Sequence, residues 1–194
     1  MRPLIEIKNL KHGVLDISSL EIPAGITAIS GKNGSGKTTL LKICSGLVLS
    51  KNGSVLIDGK TPRETDIGYV SEFPNRHLLF SILFDEIASP LRFEKKPVEE
   101  IKKQVREVAE LFGISHLLKR ECTTLSGGEK ILAGICSAVV MHPQVLVLDE
   151  PDSHLDFETT QEIFEKISVC KIPYVLWSTH SDFVKSSADT EVRL

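Results

Sequence analysis

A chain of 194 residues is long enough to close one sizeable hydrophobic core, and 41% hydrophobic with 25% charged residues is the balance of an ordinary water-soluble globular protein. The 23 Lys and Arg against 26 Asp and Glu leave a formal net charge of −3, which offers no general basic footprint, so no nucleic-acid partner is expected. The first residues, Met-Arg-Pro-Leu-Ile-Glu-Ile-Lys, lack the apolar stretch of a signal peptide, and the longest uncharged apolar-rich run, Ile131 to Met141, falls well short of the ~20 residues a membrane-spanning helix needs.

In chain order, Leu4, Ile5 and Ile7, then Val14, Leu15 and Ile17, then Leu20 and Ile22 alternate around a His12-Gly13 turn, which predicts an antiparallel β-element. Gly25 to Ile29 is short, apolar and β-branched, a buried strand; a glycine-rich turn and a helix-compatible run, Thr38 to Leu47, follow it. Ser54 to Gly59 is a hairpin-like piece ending in an Asp-Gly turn signal. Val98, Ile101, Val105, Val108 and Leu111 recur at spacings of three or four, an amphipathic helix within a helical insertion. Then come a helix from about Gly128 to Met141, a buried strand Val145 to Leu148, a helix from about Phe157 to Ile167 and a strand Tyr174 to Trp177. Strands alternating with helices predict a parallel α/β sheet with helices on both faces. Cys44, Cys122, Cys136 and Cys170 form no close pair of the kind zinc requires; reduced thiols in a cytosolic protein are the expectation, and any work at a membrane would go through a partner.

Gly31-Lys32-Asn33-Gly34-Ser35-Gly36-Lys37-Thr38 fits the phosphate-loop pattern and sits directly after a predicted strand and before a helix. Glycines let the backbone turn its amides toward phosphate oxygens, and the helix N-terminus adds a favourable dipole. Lys37 would neutralise the β- and γ-phosphates, and the Thr38 hydroxyl would ligate Mg²⁺. The strand Val145 to Leu148 ends in two carboxylates, Asp149 and Glu150. Taken alone, the pair reads as a solvated strand end. Beside a phosphate loop, Asp149 would hold Mg²⁺ and Glu150 would orient or deprotonate the attacking water.

Two further motifs complete a series. Leu125-Ser126-Gly127-Gly128-Glu129 lies between the two sites, and Trp177-Ser178-Thr179-His180 lies beyond them. With Ser153-His154-Leu155-Asp156 after the carboxylates, the order resembles that of an ATP-binding-cassette (ABC) nucleotide-binding domain across essentially the whole chain. The resemblance implies a P-loop NTPase of α/β class over residues 1–194: a mostly parallel sheet flanked by helices, an N-terminal antiparallel β-subdomain, and a helical subdomain inserted at about 78–124. It implies ATP and Mg²⁺ as cofactors, Gly31 to Thr39 as the nucleotide-binding loop, and Thr38, Asp149 and Glu72 as the metal set. Glu150, His180 and Lys37 would be the catalytic groups. Ser126, Gly127, Gly128 and Glu129 would close on the nucleotide held by a second ABC subunit, identical or different, in a head-to-tail dimer. An integral membrane subunit would be the other partner, placing the chain at the cytoplasmic face of a membrane.

Several positions depart from the family's usual pattern. Glu72 stands where a glutamine is common, and is read as a metal or water contact or else a solvated loop acid. No Tyr, Phe or Trp precedes Tyr69, so the aromatic ring that often stacks on adenine is missing and His12 lies nearest its place. Leu79 to Ala88 resembles the corresponding stretch of energy-coupling-factor and cobalt-type import ATPases, whereas Glu72 resembles some exporters. The direction of transport is therefore open. The alternatives are a soluble ABC ATPase of DNA repair, chromosome maintenance or translation, or a nucleotide-binding regulatory subunit. The lack of an extended heptad run between Lys37 and Asp149 counts against the first, and the presence of Glu150 and His180 against the second.

Overall fold

The computed structural model describes residues 4–72, 78–153 and 155–194. Strands β1 (Leu4–His12) and β2 (Leu15–Pro23) form the expected antiparallel hairpin, with His12 opposite Leu15 and Gly13 turning at φ +60°. Strand β3 (Gly25–Ser30) feeds the glycine loop and helix α1 (Lys37–Cys44). That helix stops short of Leu47 because Gly46, at φ +71°, returns its N–H to the carbonyl of Ile43 and closes the last turn. Asp58 and Gly59, at φ +48° and +81°, make a tight two-residue turn in which Ile57 and Lys60 exchange N–H···O bonds of 2.8 and 2.9 Å. The strand before it, β4 (Asn52–Ile57), is not a free-standing hairpin. It lies antiparallel along β1, with Ile5 opposite Ile57, and completes a three-stranded sheet of order β2-β1-β4.

The second sheet is parallel throughout: β5 (Ile67–Val70), β6 (Val145–Asp149), β7 (Tyr174–Ser178), β3 and β8 (Thr190–Arg193), in that order across the sheet. β6 and β7 are buried at every position, as central strands covered on both faces must be. Their side chains alternate between two cores. Leu146, Leu148, Val175 and Trp177 pack with the helical side, while Val145, Val147, Tyr174 and Leu176 pack with α1 and the antiparallel sheet.

Between β5 and β6 come α2 (Leu83–Phe93), α3 (Val98–Leu111) and α4 (Gly127–Val139). α3 buries Ile101, Val105 and Val108 of the expected stripe, whereas Val98 and Leu111 at its two ends are exposed. α2 carries Pro90 in its interior, which deprives the Glu86 carbonyl of its helical donor. Two hydroxyls replace it: Ser89 Oγ at 2.9 Å and Ser137 Oγ of α4 at 3.1 Å both donate to Glu86 O, so the break in the helix becomes a joint between two helices. α4 begins one residue before the expected Gly128 and ends before Met141, with His142 beyond it at φ +50°. Helices α5 (Phe157–Val169) and α6 (Asp182–Ser187) start at Asp156 and Ser181, whose side chains accept the Thr159 and Val184 amides. Since β3, β6 and β7 run parallel with Ile29 and Asp149 both in register with Ser178, the glycine loop, Glu150 and His180 leave the sheet at one edge.

Candidate functional site

Gly36 opens α1 with φ +103° and no side-chain cap, which leaves the first amides of the helix without the acceptor a capping side chain would give. A side chain could not replace its hydrogen: a Cβ would stand 2.7 Å from Leu15 Cδ2. Lys37 follows, only 4% exposed, with Nζ 3.1 Å from Gly31 O, 3.1 Å from His180 Nε2 and 3.1 Å from Glu150 Oε1. An ammonium can only donate, so at this contact Nε2 is placed to accept. Glu150 Oε1 lies 3.5 Å from the same nitrogen. The three expected catalytic groups therefore meet around one cation.

Asp149, 3% exposed, is fully engaged. Its Oδ1 accepts Thr38 Oγ1 at 3.0 Å and Ser178 Oγ at 2.9 Å, and its Oδ2 accepts the Tyr69 hydroxyl at 3.1 Å. Burial, and then the charge of Asp149, push the Tyr69 phenol far above its usual range, so it stays protonated and donating. Glu150 sits at φ +49°, a left-handed conformation unusual for a side-chain-bearing residue. It is held there because its N–H reaches both Ser178 O at 3.2 Å and Ser178 Oγ at 2.9 Å. Ser178 thus receives Glu150 and donates to Asp149 with one buried hydroxyl. Tyr69 and Ser178 were not among the expected site residues. Ser178 is fully buried and Tyr69 half-buried, but the pattern of neither strand shows that these side chains meet Asp149.

Glu72 and Thr39 share a cleft of about 540 Å³ with Asn33, Gly34, Gly36, Lys37, Thr38 and Glu150. Lys32, Asn33, Gly34 and Ser35 line the other flank of the loop, a cavity of about 670 Å³ that also holds His180, Lys185 and Arg193. Thr38, Asp149 and Glu72 offer hard oxygen donors of the kind Mg²⁺ takes beside phosphate and water oxygens. Among the described residues no three His, Cys, Asp or Glu side chains gather into a cage of their own. Gly13 and Val14 line the cleft that holds Glu72 and Thr39, and His12 does not.

The signature segment is built but stands apart. Ser126 Oγ accepts Glu129 N–H at 3.3 Å and Glu129 Oε2 accepts Ser126 N–H at 2.7 Å, a reciprocal capping box at the head of α4. None of Ser126, Gly127, Gly128 or Glu129 lines either cavity beside Lys37. Of the segment after the carboxylates, Ser153, Leu155 and Asp156 are described; Asp156 caps α5, and His154 lies outside the described residues.

Residues 15–153 match the family model described as "ABC transporter". The chain belongs to the ABC transporter family. It is 38% identical over 146 residues to the molybdate/tungstate import ATP-binding protein WtpC of Pyrococcus horikoshii, covering 72% of this chain and 41% of that protein. To WtpC of Methanocaldococcus jannaschii it is 33% identical over 190 residues, covering 91% of this chain and 62% of that one. The chain thus spans about half the length of these relatives. Among solved structures, cbiO1 of Clostridium perfringens, described as part of the ABC transporter complex cbiONQ, superposes with a TM-score of 0.89 at 28% identity, covering 100% of this chain and 85% of that one. The ABC fold, a parallel sheet flanked by helices with an antiparallel sheet beside it, is the fold described above. No helix among the described residues is long and apolar enough to cross a membrane.

Proposed function

We propose that the chain is the ATP-binding and ATP-hydrolysing subunit of an ABC transporter. The observation that carries this reading is the convergence of Lys37, Glu150 and His180 within 3.5 Å of one another beside Thr38 and Asp149. Each group has a task in phosphoryl transfer to water. The glycine-loop amides and Lys37 bind the β- and γ-phosphates, and Lys37 offsets charge that builds on the transferred group. Thr38, Asp149 and Glu72 would hold Mg²⁺, which supplies charge neutralisation across the phosphates. Glu150 accepts a proton from, or orients, the attacking water, and His180 Nε2 turns from Lys37 toward the γ-phosphate.

Ser126 to Glu129 would complete the site from a second ABC subunit in a head-to-tail dimer, since within one chain they lie away from Lys37. A cleft of about 640 Å³ along the free edge of β5, lined by Leu78, Pro90, Phe93, Lys96 and Met141, would receive a membrane subunit. The naming of two relatives as import ATP-binding proteins supports placement at a membrane's cytoplasmic face through such a partner.

The test is direct. Purified protein is expected to hydrolyse ATP in a Mg²⁺-dependent way, and Glu150→Gln to bind ATP, lose turnover and shift toward dimer on size-exclusion chromatography. A Glu150→Gln variant that hydrolyses ATP like the parent removes Glu150 from the reaction.

A further inference from the structure

The loop that follows Glu150 is tied to the strand end that carries His180 through a single carboxylate. Asp152 Oδ1 accepts the indole N–H of Trp177 at 2.9 Å, and Asp152 Oδ2 accepts the hydroxyl of Thr179 at 2.6 Å. The same Thr179 oxygen accepts the amide N–H of Ser181 at 2.9 Å, and the Thr179 amide donates to Ile29 O at 3.1 Å. The residues on both sides of His180 therefore hang on one hydroxyl, which hangs on Asp152. The indole cannot drift: Trp177 is fully buried, with its ring 5.8 Å from that of Phe164.

His180 needs such an anchor. Its side chain is 52% exposed, so packing alone does not aim it, yet its Nε2 stands 3.1 Å from Lys37 Nζ and 3.5 Å from Glu150 Oε1. We propose that Asp152 is a positioning residue that fixes His180 relative to Glu150 by joining the loop of one to the strand end of the other. Among the described residues its hydrogen bonds reach Trp177, Thr179 and Leu155 and none of the phosphate loop, so its loss should lower turnover and leave nucleotide binding alone. The effect on rate rests on the ATPase reading; the effect on His180 itself does not.

The experiment has two arms on the full chain. In the first, Asp152→Asn, Thr179→Val, His180→Ala and the Asp152→Asn/His180→Ala double variant are compared in steady-state hydrolysis. Asp152→Asn is expected to lose kcat by roughly tenfold, the lower end for losing a group that orients another, with KM for ATP within about twofold. Thr179→Val, which cuts one arm of the link, should reproduce the loss, and Asp152→Asn should add nothing once His180 is gone. An unchanged kcat, or an equal fold-loss in the His180→Ala background, overturns the proposal. The second arm needs no turnover: the His180 ring resonance, assigned by its disappearance in His180→Ala, is followed by ¹⁵N NMR. It should move in Asp152→Asn, and a signal identical to the parent's overturns the link. A parent that hydrolyses no ATP but whose His180 signal moves in Asp152→Asn defeats the ATPase reading and leaves the positioning role standing.

Discussion

Lys37 Nζ lies 3.1 Å from Glu150 Oε1, and the two side chains are only 4% and 19% exposed. Removing one member of such a pair leaves the other's charge poorly solvated, whereas removing both charges does not. Lys37→Met, which keeps the length of the side chain, is expected to destabilise the fold by about 1–3 kcal/mol and to weaken ATP binding at least tenfold, the order expected for a lost charge-assisted hydrogen bond. Adding Glu150→Gln should recover much of the stability and none of the binding. Urea unfolding and nucleotide titration read the two effects separately; a double variant no more stable than Lys37→Met shows that the pair is not what the single change broke.

The Tyr69 hydroxyl is the only described donor to Asp149 Oδ2. Tyr69→Phe keeps the ring and removes that bond, so the carboxylate loses part of what orients it. Groups that orient a metal ligand commonly matter by about 10-fold or more in metal affinity. The half-saturating Mg²⁺ concentration for hydrolysis should rise by roughly three- to tenfold, with most of the maximal rate recovered at high Mg²⁺. A Mg²⁺ dependence identical to the parent's would show that Asp149 needs no help from Tyr69.

Contiguous motifs were legible in the sequence, and assemblies were not. Gly31 to Thr38 announces itself because a phosphate loop needs its glycines, lysine and hydroxyl within eight positions between a strand and a helix. The strands β6 and β7 are equally plain, being unbroken apolar runs. Helix α2 falls inside the expected helical insertion, but its bounds were not legible, because Pro90 argues against a helix interior unless the freed Glu86 carbonyl finds Ser89 and Ser137, and the second of these lies on another helix. Strand β8 was missed because Thr190 to Arg193 is a four-residue edge whose only buried side chain is Val192. The donors around Asp149 and the Asp152 link are invisible for a different reason. Tyr69 comes from β5 and Trp177, Ser178 and Thr179 from the end of β7, and only the parallel register of β5, β6 and β7 brings the two groups to Asp149 and Asp152 at the end of β6. The signature shows the converse: its place between the other motifs in sequence says nothing of its distance from Lys37.

Glu72 stands where the family commonly has glutamine, and it faces the same cleft as Lys37, Thr38 and Glu150. A carboxylate there adds negative charge beside the phosphates and offers a stronger metal ligand than an amide. Glu72→Gln should therefore raise the Mg²⁺ requirement and alter kcat by several-fold, both measured by steady-state hydrolysis across a Mg²⁺ series. If neither changes, Glu72 is a solvated loop acid and the metal set reduces to Thr38 and Asp149.

Acid should loosen the signature helix first through Glu129. The Ser126 N–H bond to its carboxylate, followed by the Ser126 hydroxyl and Arg120, holds Glu129 below the usual glutamate value of 4.5. A pKa lower in the folded than in the unfolded chain means that stability is fully present above the unfolded value and is lost as pH falls through the folded one. Thermal unfolding followed between about pH 7 and pH 3 should show the parent losing stability most steeply at the acid end. Glu129→Gln, whose amide oxygen can still accept the Ser126 N–H but cannot titrate, should be less stable at neutral pH and flatter over the same range. Parallel pH profiles for the two proteins would mean that the carboxylate's charge contributes nothing to the cap, and that the hydrogen bond alone holds Ser126 at the head of α4.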